Sequence, residues 1–202
     1  MHKRFHWHTG LIFALSLSWA SCGAPAIKYN YAAEPDPRGK EFVLEVSDQI
    51  HVMVRGQNDL SGKYTVPAHG TIDFPMIGTI PARGKTATAV RAAIVLKLKD
   101  YVKEGTAQVS VRLSSVNSYK FTVSGEVARG NLFKPKTYLT LTEAVAMAGG
   151  FSRFASRTRM YILRDTGGKG VKKIPINYDA IVSGKRPEMN IVILSGDVIH
   201  VP

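Results

Sequence analysis

Chemistry in this 202-residue chain would have to come from very few residues. Of six histidines, His2, His6 and His8 lie at the extreme N-terminus, which leaves His51, His69 and His200. A hydrolytic triad needs a positioned nucleophile, base and orienting acid, and no Gly-x-Ser-x-Gly elbow is present. None of these three histidines pairs with another at H-x3-H spacing, the local signature of a metal pair. They read as satisfied or solvent-facing side chains. Gly167-Gly168-Lys169-Gly170 has the glycines and lysine of a phosphate loop but lacks the leading Gly and the Ser/Thr after Lys. It reads as a flexible hairpin turn. One cysteine rules out an intramolecular disulfide framework and a multi-Cys zinc site. No catalytic residue, metal site or cofactor site is therefore expected.

The cysteine, Cys22, has a more specific setting. Residues 1–9 carry Lys3 and Arg4 and no acid, and Leu11–Ala20 is uncharged and mostly apolar. Small residues follow at Ser21, Cys22, Gly23 and Ala24, so residues 1–21 read as a secretory signal. Ten helical residues rise only ~15 Å, about half a hydrocarbon core, so this run is too short for an anchor helix. Ala20-Ser21-Cys22 resembles a lipobox with Cys22 as the acylated residue, although Trp19 stands where Leu is usual. Ordinary cleavage after Ala20, leaving Cys22 a free thiol, is the other reading. Residues 22–41 then read as a lipidated tether, extended near Pro35 and Pro37.

Charge narrows the partners. The chain carries a formal charge of +12, and residues 151–202 hold nine Lys/Arg against four acids. Such an excess steers acidic polymers, anionic headgroups or acidic proteins towards a surface, or it is simply a solvated face. Nucleic acid is not expected, because the leader exports the chain and no recognition helix or stacking motif appears.

The elements that must position these groups are short. Ile50, Val52 and Val54 alternate with polar neighbours in a strand over 49–54. Residues 63–66 and 71–74 are expected to pair as a hairpin around Pro67–Gly70, with Gly62 and Gly70 supplying positive φ. Val90, Ile94, Leu98 and Tyr101 predict one helix over about 86–102, and Val109, Val111 and Leu113 a half-buried strand. A second unit begins near Tyr119 with the alternation of Phe121, Val123, Gly125 and Val127. Thr140-Leu141-Thr142-Glu143 is a capping box for a helix over 141–148, which Gly149-Gly150 ends. Strands at 159–164 and 171–176, a short helix at 178–182 and strands at 190–194 and 198–201 complete an α+β pattern. Val46-Ser47-Asp48-Gln49-Ile50 echoes Ser195-Gly196-Asp197-Val198-Ile199, which on its own is two turns of a common kind.

Together these segments resemble the outer-membrane polysaccharide export family. The resemblance covers about 42–202, and no single piece decides it. It is carried by Val54–Val66 (VRGQNDLSGKYTV), Gly70–Gly78 (GTIDFPMIG), Val123–Val127 (VSGEV), Leu141–Gly150 (LTEAVAMAGG) and Ser195–Pro202 (SGDVIHVP). Two departures are local: Ser47-Asp48-Gln49 stands where Gly-Asp is common, and Ala128-Arg129-Gly130 where Pro-Gly commonly follows Gly-Glu-Val. The resemblance implies a polysaccharide export domain over 42–117, a small mixed or antiparallel sheet with one main helix. A soluble-ligand-binding β-grasp (SLBB) domain over 118–202 follows. It implies a non-enzymatic component of capsule or exopolysaccharide export. The chain is expected on the periplasmic face of the outer membrane, or free in the periplasm if Cys22 is not acylated. Implied partners are further copies in a ring, an inner-membrane co-polymerase or chain-length regulator, a separate outer-membrane β-barrel and the transported polysaccharide. As a short member it is expected to lack a pore helix of its own. The reading from another class is a monomeric periplasmic module binding a soluble glycan or small ligand.

Overall fold

In the first unit, strand β1 (Gln49–Val54) lies between β2 (Gly62–Thr65) and β5 (Val109–Ser115), antiparallel to both. The computed structural model describes residues 29–101, 108–168 and 170–202. Ile50, Val52 and Val54 are buried on one side of β1 as the alternation requires. Strands β3 (Thr71–Phe74) and β4 (Gly78–Pro81) form a separate antiparallel hairpin. Helix α1 (Ala87–Leu98) starts at Thr86, whose hydroxyl accepts the Ala89 N–H at 3.2 Å, and buries Val90, Ile94 and Leu98.

Three expectations need correction here. Residues 63–66 do not pair with 71–74: β2 pairs with β1 and β3 with β4. The tight turn lies at Pro75–Gly78, where the Ile77 N–H reaches the Pro75 carbonyl at 2.8 Å and Met76 and Gly78 take positive φ. Tyr64 and Phe74 still meet, but by ring stacking at 4.8 Å. Gly62 sits in β2 without positive φ, whereas Gly70 has φ 84°. Tyr101 lies beyond the last helical residue and is 55% exposed, so the apolar stripe stops at Leu98.

The second unit is a mixed five-stranded sheet in the order β7-β6-β10-β8-β9. Its strands are β6 (Phe121–Gly125), β7 (Asn131–Phe133), β8 (Met160–Asp165), β9 (Val171–Ile176) and β10 (Val198–Val201). β10 runs parallel to β6 and antiparallel to β8. Helix α2 (Leu141–Met147) covers one face with Leu141, Ala144 and Val145, and the Glu143 carboxylate accepts the Thr140 N–H at 2.7 Å. Gly149 and Gly150 reverse the chain at φ 82° and 83°. Helix α3 (Tyr178–Val182) follows β9. Residues 190–194 form no strand; Thr140 and Val192 make a single antiparallel bridge. The chain is thus α+β, with a main helix in the first unit and a β-rich second unit.

Each unit has its own apolar core. The one unexpected member is Tyr31, which is 4% exposed inside the second core and donates to the Pro175 carbonyl at 2.6 Å. From Tyr29 on, the segment read as a tether therefore lies packed as a strap. Its prolines and charges hid two aromatic anchors, Tyr29 and Tyr31, whose rings meet at 4.8 Å.

Candidate functional site: the joint and strap of the second unit

Two buried aspartates organise the places where distant segments meet. At Asp48, the carboxylate accepts the Glu45 N–H at 2.8 Å, while the Asp48 N–H reaches the Glu45 carbonyl at 3.1 Å. At Asp197 the same pair of bonds joins Leu194, at 2.8 and 3.2 Å. The residue before each aspartate has positive φ, Ser47 at 78° and Gly196 at 89°. Each turn also rests on a neighbouring strand in the same way. Ser47 N–H bonds the Val66 carbonyl and Val66 N–H the Asp48 carbonyl; Gly196 N–H bonds the Lys120 carbonyl and Thr122 N–H the Asp197 carbonyl. The sequence echo is a structural repeat.

The two carboxylates then diverge in use. Asp48, fully buried, receives the N–H groups of Asn117 and Ser118 at 2.8 Å each and the Ser118 hydroxyl at 2.7 Å. It therefore ties the first unit to the segment that leads into the second. Next to it, the Tyr119 hydroxyl donates to the Ile193 carbonyl at 2.9 Å, and Ser195 donates to the Ser118 carbonyl at 2.8 Å. Burial pushes the Tyr119 phenol up from its ordinary value. A cleft of about 510 Å³ opens beside this joint, lined among others by Phe42, Glu45, Arg83, Lys120, Tyr138 and Ser195. Arg83 and Glu45 pair across it at 3.0 Å.

Asp197 instead holds an arginine. Arg164, 6% exposed, sends two parallel N–H bonds to it at 2.9 and 2.6 Å and a third to the Val192 carbonyl at 2.9 Å. The remaining guanidinium nitrogen donates to Glu34 of the strap at 2.8 Å. Lys172 donates to the other Glu34 oxygen at 2.5 Å, and the Tyr29 hydroxyl donates to that same oxygen. Burial drives the Glu34 carboxyl upward, but the Lys172 and Tyr29 bonds and the Arg164 charge outweigh it and hold the group below its ordinary value. No side-chain polar atom buried among the described residues lacks a partner. In such a buried network the desolvation of the charges offsets much of their attraction, while loss of one partner is costly.

The residues singled out from the sequence fall as follows. His51 lies in β1, His69 is exposed in the turn before β3, and His200 lies in β10, so the three are not gathered into a site. Gly167, Gly168 and Gly170, all at positive φ, belong to the turn between β8 and β9; a strand follows, where a phosphate loop leads into a helix. Lys169 and Cys22 lie outside the described residues. No metal-ligating cluster occurs, and no helix is long and apolar enough to cross a membrane, among the described residues. Sequence reasoning did not single out Asp48, Arg164 and Glu34 as the groups that tie distant segments together. The only signal was the repeated turn acid; Arg164 was one of nine cations in an apparently surface-charged stretch.

Residues 36–114 match the family of polysaccharide biosynthesis/export proteins, and residues 120–177 match the SLBB domain. The chain is 30% identical over 127 residues to the exopolysaccharide production protein ExoF of Rhizobium meliloti, covering 57% of this chain and 30% of that protein. It is 25% identical over 175 residues to the capsule polysaccharide export protein BexD of Haemophilus influenzae, covering 87% of this chain and 38% of that protein. The chain spans about a third of the length of these curated relatives. The joint at Asn117–Tyr119 falls between the two matched regions, with an export domain before it and an SLBB domain after it: the chain belongs to the polysaccharide export protein family.

Proposed function

We propose that this chain is a non-enzymatic structural component of a polysaccharide export system. The observation that carries this reading is the order of the export and SLBB domains on two units tied by Asp48, in a chain similar to proteins named for exopolysaccharide production and capsule export. In this reading the chain is exported and acylated at Cys22, which moors it to the periplasmic face of the outer membrane. Two or more acyl chains suffice for stable anchoring. Copies assemble into a ring whose lumen conducts the polymer. An inner-membrane co-polymerase or chain-length regulator supplies the polymer, and a separate outer-membrane β-barrel completes the path. Polymer passage calls for many weak contacts, not a catalytic centre.

Clean deletion of the gene in a strain without redundant paralogues is expected to abolish surface or secreted polysaccharide; intact polysaccharide overturns the reading. Sizing chromatography with light scattering is expected to give one discrete ring. A monomer with saturable binding of a small glycan supports the module reading instead, for which the 510 Å³ cleft between the units offers a place.

A further inference from the structure

Among the described residues, the apolar core of the second unit lies on one face of its sheet. Phe121, Val123, Ile162, Ile174, Ile199 and Val201 point into the core. Side chains alternate along a strand, so their neighbours point the other way. The register places Leu132, Thr122, Val198, Leu163 and Lys173 in one row across all five strands. The next row is Ser124, His200, Tyr161 and Pro175. None of these nine residues belongs to either apolar core. Five strands about 4.8 Å apart make a face roughly 20 Å wide.

Its chemistry is specific. The Tyr161 and His200 rings lie 5.0 Å apart, inclined by 36°, and the Ser124 hydroxyl is 3.0 Å from His200 Nδ1. The Lys173 ammonium sits 4.0 Å from the centre of the Tyr161 ring. Beyond it, Arg159, Tyr161, Lys173, Pro175 and Pro202 line a shallow hollow of about 370 Å³. β6 and β8 run in opposite directions, so Lys120, just before β6, marks one end of the face and Arg159, just before β8, the other. Asp165, at the end of β8, accepts the Gly167 N–H at 3.0 Å within the hairpin turn. Lys173 joins no ion pair among the described residues.

We propose that this outer sheet face, centred on Tyr161, His200 and Lys173, is a contact track for an acidic polysaccharide. The inference rests on the export reading and names the substrate class and the surface. Aromatic rings receive the apolar faces of sugar rings, the hydroxyl and imidazole serve sugar hydroxyls, and Lys173, Arg159 and Lys120 complement carboxylates. The cations are solvated and few, so each contact is weak and reversible, as a moving chain requires. Charge complementarity selects an acidic glycan over a second copy of this basic chain.

The test uses the full processed chain in native gels cast with polygalacturonate, and with uncharged dextran as control. Retardation by polygalacturonate and not by dextran is expected. Lys173→Gln, at an exposed side chain, and Tyr161→Ala should each weaken it about fivefold, the scale of one solvated charge or ring contact, while Tyr161→Phe keeps most of it. Circular dichroism of Tyr161→Ala separates loss of contact from loss of fold. Equal retardation of all variants, no retardation at all, or a changed oligomeric state in Lys173→Gln overturns the track; the last would make the face a contact between copies. In cells, normal export by the Tyr161→Ala/Lys173→Gln double variant where deletion abolishes export overturns the track alone. Normal export on deletion overturns the export reading itself.

Discussion

Ser47 and Gly196 occupy the same place in two copies of one turn, yet only one of them is glycine. A side chain at φ 78° costs ~1–2 kcal/mol against the right-handed region, and glycine pays part of that back through its larger unfolded-state entropy. Ser47→Gly should therefore raise stability by up to ~1 kcal/mol, read as a higher urea midpoint at unchanged slope. No gain would mean that the surrounding bonds already relieve the strain. Gly125 is the opposite case. At φ 87°, a Cβ built there would stand 1.9 Å from the Val201 carbonyl oxygen, because β10 runs alongside and the Glu126 N–H bonds that same oxygen at 2.8 Å. Backbone cannot swing aside as a side chain can. Gly125→Ala should cost ~2 kcal/mol or more and loosen the parallel β6–β10 pair first. Hydrogen exchange that stays unchanged at Glu126 would contradict this.

At the scale of elements, the strap of residues 29–34 is held by a tyrosine in an apolar core and a carboxylate between two cations. Arg164→Ala would leave Asp197 and Glu34 without their shared guanidinium, and loss of one partner from a buried network costs ~3–5 kcal/mol. Acid acts on the same contact. Glu34 titrates below its ordinary value of about 4.5 in the folded chain, so the unfolded chain binds its proton more readily. Its contribution is complete above about 4.5 and is lost as pH falls through the folded value. Urea unfolding from pH 7 to pH 3 should show wild type losing stability below this point and Glu34→Gln losing less; parallel curves would place the acid sensitivity elsewhere. The strap also shows where sequence reading stops. Alternation located β1 and β6, and the capping box located α2, because those signals lie within a few residues. Arg164 meets Asp197 and Glu34 across gaps of 33 and 130 residues, and a count of charges over 151–202 treats a buried guanidinium as another surface cation. β2 and β3 lie where the residue pattern puts them, but pairing nearest neighbours fails: the turn at Pro67–Gly70, closed by the Gly70 N–H on the Pro67 carbonyl at 2.9 Å, leads from one sheet to another, and the chain that pairs with β3 comes after Phe74.

Over the whole molecule, the question is whether two cores melt as one. Phe42 packs against the second core and Leu44, two residues later, is buried in the first, so a single extended stretch is shared between them. The units also meet at the Asn117–Tyr119 crossing, with a cleft beside it. Asp48 is the polar centre of that crossing. Asp48→Ala strips acceptors from the N–H groups of Glu45, Asn117 and Ser118 together, and each donor left buried and unpaired costs ~1–3 kcal/mol. The loss falls on the first unit and on the joint; the second unit, with its own aspartate turn bonded to Arg164, keeps every bond of its core. Calorimetry should therefore show one cooperative transition in the wild type and two in Asp48→Ala, the first unit melting earlier. Asp48→Asn, which retains one carbonyl acceptor, should fall between them. A single transition in Asp48→Ala, merely shifted, would mean that the shared stretch at Phe42–Leu44 holds the units together without the aspartate.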